Sequence, residues 1–462
     1  MSSTQFSNLP LGEAMLSNLD TLGYHEMSEV QAQSLPFVLE GKDVIAEAMT
    51  GSGKTAAFGL GLLHHLEPKK FRIQALVLCP TRELADQVAK ELRRLARCLP
   101  NVKVLTLCGG VPLGPQIGSL EHGAHIIVGT PGRVAAHIRK KTVKFDHVSR
   151  LVLDEADRML DMGFQDEVDR IIEALPEKRQ TLLFSATYPE TIQKVARRIM
   201  RDPTVIKVEQ AHDETSIRQY FHAFDEKTPR ITALKLMLLK HAPERALVFC
   251  NTRIESREVA EELRVAGFIA LALHGELEQK ERDQTLVLFS NKSVSVLVAT
   301  DVAARGIDIQ DLDLVVNFHL ANDMEVHVHR VGRTGRAGSQ GVACTLFENK
   351  EQYKLNKLAE FLERDLPATP LPSLQMLNQP PVLPPMSTLR IEGGRKQKVR
   401  PGDILGALTG NGGISAGQVG KIDLFDNHAF VAVQQSAAKP ALRKLQSGKL
   451  KGRSFRVRRV HS

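Results

Sequence analysis

Ala48–Thr55 reads AMTGSGKT, directly after the short apolar stretch Asp43–Ala46 and ahead of a run with helical spacing. In the loop Thr50, Gly51, Ser52, Gly53 the glycines let the backbone curl, so that its N–H groups face phosphate oxygens. Lys54 is placed to reach β/γ-phosphates, and the Thr55 hydroxyl to meet Mg²⁺. The common pattern has Gly at position 48, where this chain has Ala. G-x-G-K-T between a strand and a helix is nonetheless rarely accidental, and it predicts a strand–loop–helix unit of an α/β fold.

Working outward, apolar runs alternate with amphipathic stretches. Gln74–Cys79, His125–Val128, Arg150–Leu153, Ala246–Cys250, Val294–Ala299 and Leu314–Asn317 read as strands, and Arg82–Leu95 and Ile254–Ala266 as helices. This alternation predicts parallel sheets covered on both faces. Asp154–Asp157 (DEAD) follows one of the strands. Ligands in such sheets bind beyond the carboxyl ends of the strands, so these carboxylates are expected beside the phosphate loop. Asp154 would hold Mg²⁺, partly through water, and Glu155 would position and deprotonate an attacking water. His329–Gly338 (HRVGRTGRAG) places Arg333 and Arg336 three apart, as on one face of a helical turn, suited to the charge that spreads over a transferring phosphoryl group. These arginines fall in a second unit of the chain, so the site would be complete only when two units close.

The polar stretch 209–216 is the expected joint between the units, giving domains 1–208 and 217–366. Glu363–Ser387 holds seven prolines, and 367–386 reads as a stiff, extended connector. Beyond it, residues 387–462 show strand, helix, strand, strand, helix, strand, the βαββαβ order of ferredoxin-like and RNA-recognition modules. Charge divides along the same line. From Met386 onward there are 15 Lys and Arg against 4 Asp and Glu, whereas the preceding part carries a balance of −3. A basic tail domain of this kind points to a polyanionic partner. Laying the usual RNA-recognition pattern on Asp426–Val433 matches Phe430 but puts His428 and Val433 where aromatics are expected, so base stacking on this sheet is not expected. Lys449, Lys451, Arg453, Arg456 and Arg458 are expected to grip folded RNA by phosphate and shape.

The chain has 462 residues, 42% of them hydrophobic and 25% charged, an ordinary globular composition that argues against disorder and collagen-like repeats. No apolar run approaches the roughly 18 residues of a membrane span. Met1–Leu9 has no basic or hydrophobic segment of a secretory signal. Five cysteines without a C-x-x-C argue against a disulfide framework or zinc site. A cytoplasmic protein is expected, with no membrane and no obligate protein partner, acting as a monomer.

With these residues assembled, the chain resembles the DEAD-box RNA helicases over roughly residues 6–361. The resemblance implies two tandem RecA-like domains followed by a small α+β RRM-like domain, and an RNA-dependent ATPase. Phe6, Gly23-Tyr24 and Ser28-x-x-Gln31 resemble the family's adenine-reading motif, with Phe6, Tyr24 and Gln31 at the base. AMTGSGKT is the family's own form of the phosphate loop. Pro80, Thr81, Arg82, Gly110, Thr130, Gly132 and Arg133 match its RNA-backbone motifs in the first domain, and Arg253, Gly275, Arg282 and Thr300 those in the second. Ser185 and Thr187, with Asp157, Asp301 and His329, match residues that couple hydrolysis to strand separation, and Asp308 lies on the ribose and γ-phosphate side. Catalysis would rest on Lys54, Glu155, Arg333 and Arg336. The basic tail resembles that of bacterial members directed to 23S ribosomal RNA, implying a role in large-subunit assembly. From the residues alone, an RNA clamp without turnover and a DNA-directed motor remain as rivals.

Overall fold

The apolar runs become strands because β-branched and aliphatic residues at successive positions can be buried on both faces of a parallel sheet. The computed structural model describes residues 4–49, 51–208, 217–304, 312–335 and 340–460. The chain forms two units, the first ending near residue 211 and the second holding nearly all of the remainder.

The first unit contains β1 (Val44–Glu47), β2 (Ala75–Leu78), β3 (Val104–Leu107), β4 (Ile126–Gly129), β5 (Arg150–Asp154), β6 (Gln180–Ser185) and β7 (Thr204–Lys207). They form one parallel sheet in the order β3-β4-β2-β5-β6-β1-β7. Helices cover both faces, producing two apolar layers, one around Phe58, Val77 and Phe184 and the other around Leu76, Ile127 and Leu183.

The second unit repeats this plan with β8 (Ile217–Phe224), β9 (Ala246–Cys250), β10 (Ala270–Leu273), β11 (Val296–Thr300), β12 (Leu314–Asn317), β13 (Gly341–Glu348) and β14 (Ala368–Thr369). Their order is β10-β11-β9-β12-β13-β8-β14, the first sheet's order when the strands are renumbered from one. The joint expected at 209–216 lies outside the described residues.

Part of the connector 367–386 lies against the second unit. Its β14 adds to the edge of the second sheet beside β8, and the buried His222 ring lies 3.1 Å from Thr369 O and 3.2 Å from Pro370 O. Leu371 and Met376 pack on that unit's core. Extended, proline-rich backbone lacks internal hydrogen bonds, so an open sheet edge is a natural resting place for it. Arg333 sits in a tight turn that continues from the helix Met324–Val331, its N–H donating to Arg330 O at 3.2 Å, while Arg336 lies outside the described residues.

The small domain is an antiparallel sheet of β15 (Met386–Ile391), β16 (Val419–Leu424), β17 (Ala429–Gln434) and β18 (Val457–Arg459), in the order β16-β17-β15-β18. The helices Pro401–Thr409 and Ala438–Ser447 pack on one face through Ile404, Leu408, Ala441 and Leu445. The opposite face carries Thr388, Arg390, Phe430 and Ala432, and all four are buried. The end of the helix Gln279–Ser290 and the turn after it meet this part of the domain: Asn291 donates to Thr388 Oγ1 at 2.8 Å, and the hydroxyls of Ser293 and Thr388 are 2.7 Å apart. Lys421 Nζ reaches Ser290 at 3.3 Å. Phe430 is only 1% exposed, with the Arg390 guanidinium 5.7 Å above its ring. Base stacking on Phe430 is therefore closed off, as its neighbours in sequence suggested.

Among the described residues no helix is long and apolar enough to cross a membrane. All five cysteines are unpaired, and 79, 108, 250 and 344 are buried.

Candidate active site

Strand order sorts the motifs of the first sheet into two groups. β5, β6 and β1 are neighbours, so the segments leaving their carboxyl ends converge: the loop 48–55, the acidic run 154–157 and Ser185–Thr187. Glu47 is paired with Ser185 and Asp154 with Phe184, and Ala48 N donates to Ser185 O at 2.9 Å. β3, β4 and β2 form the other half, and the segments after them hold Gly110, Thr130–Arg133 and Pro80–Arg82.

Gly53 caps the helix Lys54–His64 with φ of 95°, a conformation that favours glycine. A Cβ there would collide with the Gln31 side chain. Gln31 holds the loop, donating to Gly53 O at 3.0 Å while its Oε1 accepts from Ser28 N at 3.0 Å. The buried Lys54 donates to Ala48 O at 2.8 Å, and Ser52 Oγ donates to Met49 O at 2.8 Å. Thr55 is half-buried and is the second residue of the helix Lys54–His64. Phe6 and Tyr24 meet edge to face at 6.2 Å, and the Tyr24 hydroxyl donates to Glu91 at 2.9 Å. Burial and that carboxylate push the Tyr24 hydroxyl above its ordinary pKa. Thr50, Asp308 and Arg336 lie outside the described residues.

The acidic run is not a solvated loop. Asp154, Glu155 and Asp157 are all buried. Burial pushes the Asp154 carboxyl up to about 7, with Lys54 opposing the rise. Its Oδ1 is buried without a hydrogen-bond partner. An oxygen so placed accepts no hydrogen bond, and a hard divalent cation would satisfy it. Mg²⁺ keeps several waters and takes one or two protein carboxylates with substrate phosphates, so a single carboxylate beside a phosphate loop fits it. Asp157 Oδ2 accepts from Ala186 N, Thr187 N and Thr187 Oγ1 at 3.1–3.2 Å, while Asp157 N donates to Ser185 Oγ at 3.2 Å. The acidic run and the segment Ser185–Thr187 are thus joined in one hydrogen-bonded block.

On the other half of the edge, Thr81 caps the helix Arg82–Leu95, accepting from Leu84 N at 3.3 Å. Arg82 lies against Gly110, where φ is +71° and a Cβ would collide with the guanidinium. Arg133 donates to Val111 O at 2.8 Å and to Gln116 at 3.2 Å. Thr130 caps the helix Pro131–Arg139, and no heavy atom lies within 4 Å of a Cβ at Gly132, leaving the backbone open to close approach.

In the second unit the same sorting places Arg253, Gly275 and Thr300 after β9, β10 and β11, which are neighbours. Arg282 donates to Ala303 O at 2.8 Å, close to Thr300. Asp301 is gripped at both oxygens, each at 2.7 Å, by Arg330, a residue sequence reading passed over. Arg330 is 2% exposed and also donates to His319 O at 3.1 Å and Asn251 Oδ1 at 3.3 Å. His319 in turn lies 2.5 Å from Glu255. Among the described residues no group of three His, Cys, Asp or Glu side chains could hold a metal ion, so His319 and the buried His327 belong to no such cluster. Replacing Arg330 by Met leaves Asp301 without its partner, and is expected to lower stability by about 3 kcal/mol, read as a lower urea midpoint.

The residues thus fall on two units: Lys54, Asp154, Glu155, Asp157, Ser185 and Thr187 on the first, Asp301, His329 and Arg333 on the second. Two repeated parallel sheets, one with a phosphate loop and the other with a buried arginine cluster, define the class of two-domain phosphate-loop machines.

Residues 28–195 match the DEAD/DEAH box helicase family, 226–338 the helicase conserved C-terminal domain, and 388–459 the DbpA RNA binding domain. The chain belongs to the DEAD/DEAH box helicase family. It is 52% identical over 456 residues to the ATP-dependent RNA helicase DbpA of Escherichia coli strain K12, covering 98% of this chain and 99% of that protein. It is also 43% identical to the ATP-dependent RNA helicase CshA of Listeria monocytogenes, over 77% of this chain and 68% of the relative. Among solved structures, S. cerevisiae Dbp5 bound to RNA and ADP BeF3 matches with a TM-score of 0.72 and 29% identity, over 80% of this chain and 96% of that one.

Proposed function

We propose that this ATP-dependent RNA helicase is directed by its basic C-terminal domain to 23S ribosomal RNA, where it opens short duplexes during assembly of the large subunit. The observation that carries the ATPase reading is that Lys54, Asp154 and Glu155, all buried, follow the carboxyl ends of β1 and β5, the two strands that flank β6.

ATP would bind with its phosphates on Thr50–Thr55 and its base near Phe6, Tyr24 and Gln31. Mg²⁺, held by Thr55 and Asp154 partly through water, would neutralise charge between the β- and γ-phosphates. Glu155 orients the attacking water and takes its proton. Closure of the two units brings Arg333 and Arg336 to the γ-phosphoryl and Asp308 to the ribose side. RNA crosses the half of each edge that does not bind nucleotide, over Thr81, Arg82, Gly110 and Arg133 and over Arg253, Gly275 and Thr300. A strand bent there cannot remain in an A-form duplex, so a short helix opens locally. Asp157, Ser185, Thr187, Asp301 and His329 tie the phosphate state to the RNA state.

The tail reading rests on Lys449, Lys451, Arg453, Arg456 and Arg458, all exposed, and on a sheet face that is buried rather than offered to bases. The match to the DbpA RNA binding domain supports it. The protein is read as a cytoplasmic monomer.

Replacing Lys449, Lys451 and Arg453 together by Gln is expected to weaken binding of a folded 23S rRNA fragment and flatten its salt dependence, by about 0.9 in the log–log slope for each phosphate no longer neutralised. ATP hydrolysis stimulated by saturating poly(U) should be unchanged. An unaltered salt slope would move the RNA-gripping surface elsewhere.

A further inference from the structure

Arg158 stands three residues beyond Glu155 in the helix Ala156–Asp161, and its Nη1 lies 2.9 Å from Glu155 Oε2. The two side chains are 6% and 2% exposed. A buried ion pair stabilises a fold no better than well-packed apolar residues, since desolvating both charges offsets their attraction. What the pair does supply is direction. Glu155 sits in the left-handed region, with φ of 52° and ψ of 53°, a conformation that costs a non-glycine residue about 1–2 kcal/mol. There its side chain folds back over the first turn onto the guanidinium.

The Arg158 backbone belongs to this hydrogen-bonded block as well. Its N–H donates to Asp157 Oδ1 at 2.9 Å, while the other oxygen of Asp157 accepts from Ala186 and Thr187. One carboxylate therefore holds the 185–187 loop on one oxygen and the Arg158 backbone on the other. The Arg158 side chain then holds Glu155.

We infer that Arg158 is a positioning residue: it fixes the direction of the Glu155 carboxylate and passes the state of the Ser185–Thr187 loop to it through Asp157. This rests on Glu155 acting as the base. Arg158 itself touches neither water nor phosphate in this scheme. A planar guanidinium on a short helical turn defines an angle that a flexible ammonium does not.

The test is steady-state ATP hydrolysis by the full chain at saturating RNA, for Arg158→Met, Arg158→Lys and each combined with Glu155→Gln. Misdirection of the base is expected to lower kcat roughly 10- to 100-fold in Arg158→Met, with KM for ATP within about twofold of the parent. Arg158→Lys should recover part of the loss. In the Glu155→Gln background neither change should lower the residual rate further, because there is no base left to direct. A kcat in Arg158→Met equal to the parent, a rise in KM matching the fall in kcat, or an equal loss with and without Glu155 would each overturn the inference. If Arg158→Met does not fold, the Arg158→Lys comparison in the two backgrounds decides alone. If Glu155→Gln by itself hydrolyses ATP at the parental rate, it is the base assignment that fails, a result distinct from any of these.

Discussion

Glu155→Gln is expected to hold ATP and RNA while its hydrolysis falls by about 10²- to 10⁴-fold, the usual worth of a general base. Gln keeps the size of the side chain and can still accept from Arg158 Nη1, so the fold and the phosphate loop should be little changed. It cannot take a proton. Single-turnover hydrolysis with preformed enzyme–RNA complex separates this from slow product release, and nucleotide titration shows that affinity is kept. Substantial hydrolysis by this variant would remove Glu155 from the role the buried site suggests for it.

Arg333→Ala is expected to cost about 10³-fold or more in kcat, the range found when an arginine is withdrawn from a transferring phosphoryl group. The loss should appear mainly in RNA-stimulated turnover, because Arg333 lies on the unit that does not carry the phosphate loop. Nucleotide binding to the first unit should be nearly unchanged. Arg333→Lys should recover little, since an ammonium cannot span two phosphoryl oxygens as a guanidinium does. Arg333 is only 6% exposed, so the urea midpoint of both variants belongs beside the rates. A kcat within a few-fold of the parent would mean that closure does not bring this side chain to the phosphates.

What could be read in advance was whatever depends on local spacing. The phosphate loop, the acidic run after β5 and the βαββαβ order of the tail are short-range patterns, and β17 falls on the apolar run Ala429–Gln434. Pairings across the chain were out of reach. Arg330 stands inside the quoted motif HRVGRTGRAG, yet its partner Asp301 is 29 residues away and joined to it only through the sheet order. Arg158 carried a weak signal, since residues three apart share a helix face, but nothing marked Glu155 as the strained residue at that helix start. In the connector, proline content announces an extended backbone without saying what it lies against. His222, which anchors it, is 147 residues from Thr369. The covered sheet face was legible only by its missing aromatics, not by the Asn291 and Ser293 hydrogen bonds that close it.

The most direct test is steady-state ATP hydrolysis by the full chain without nucleic acid, with poly(U), and with a folded 23S rRNA fragment. A targeted helicase should show a low basal rate, strong stimulation by low concentrations of the rRNA fragment, and much weaker stimulation by poly(U). A rate unmoved by either RNA would contradict that reading.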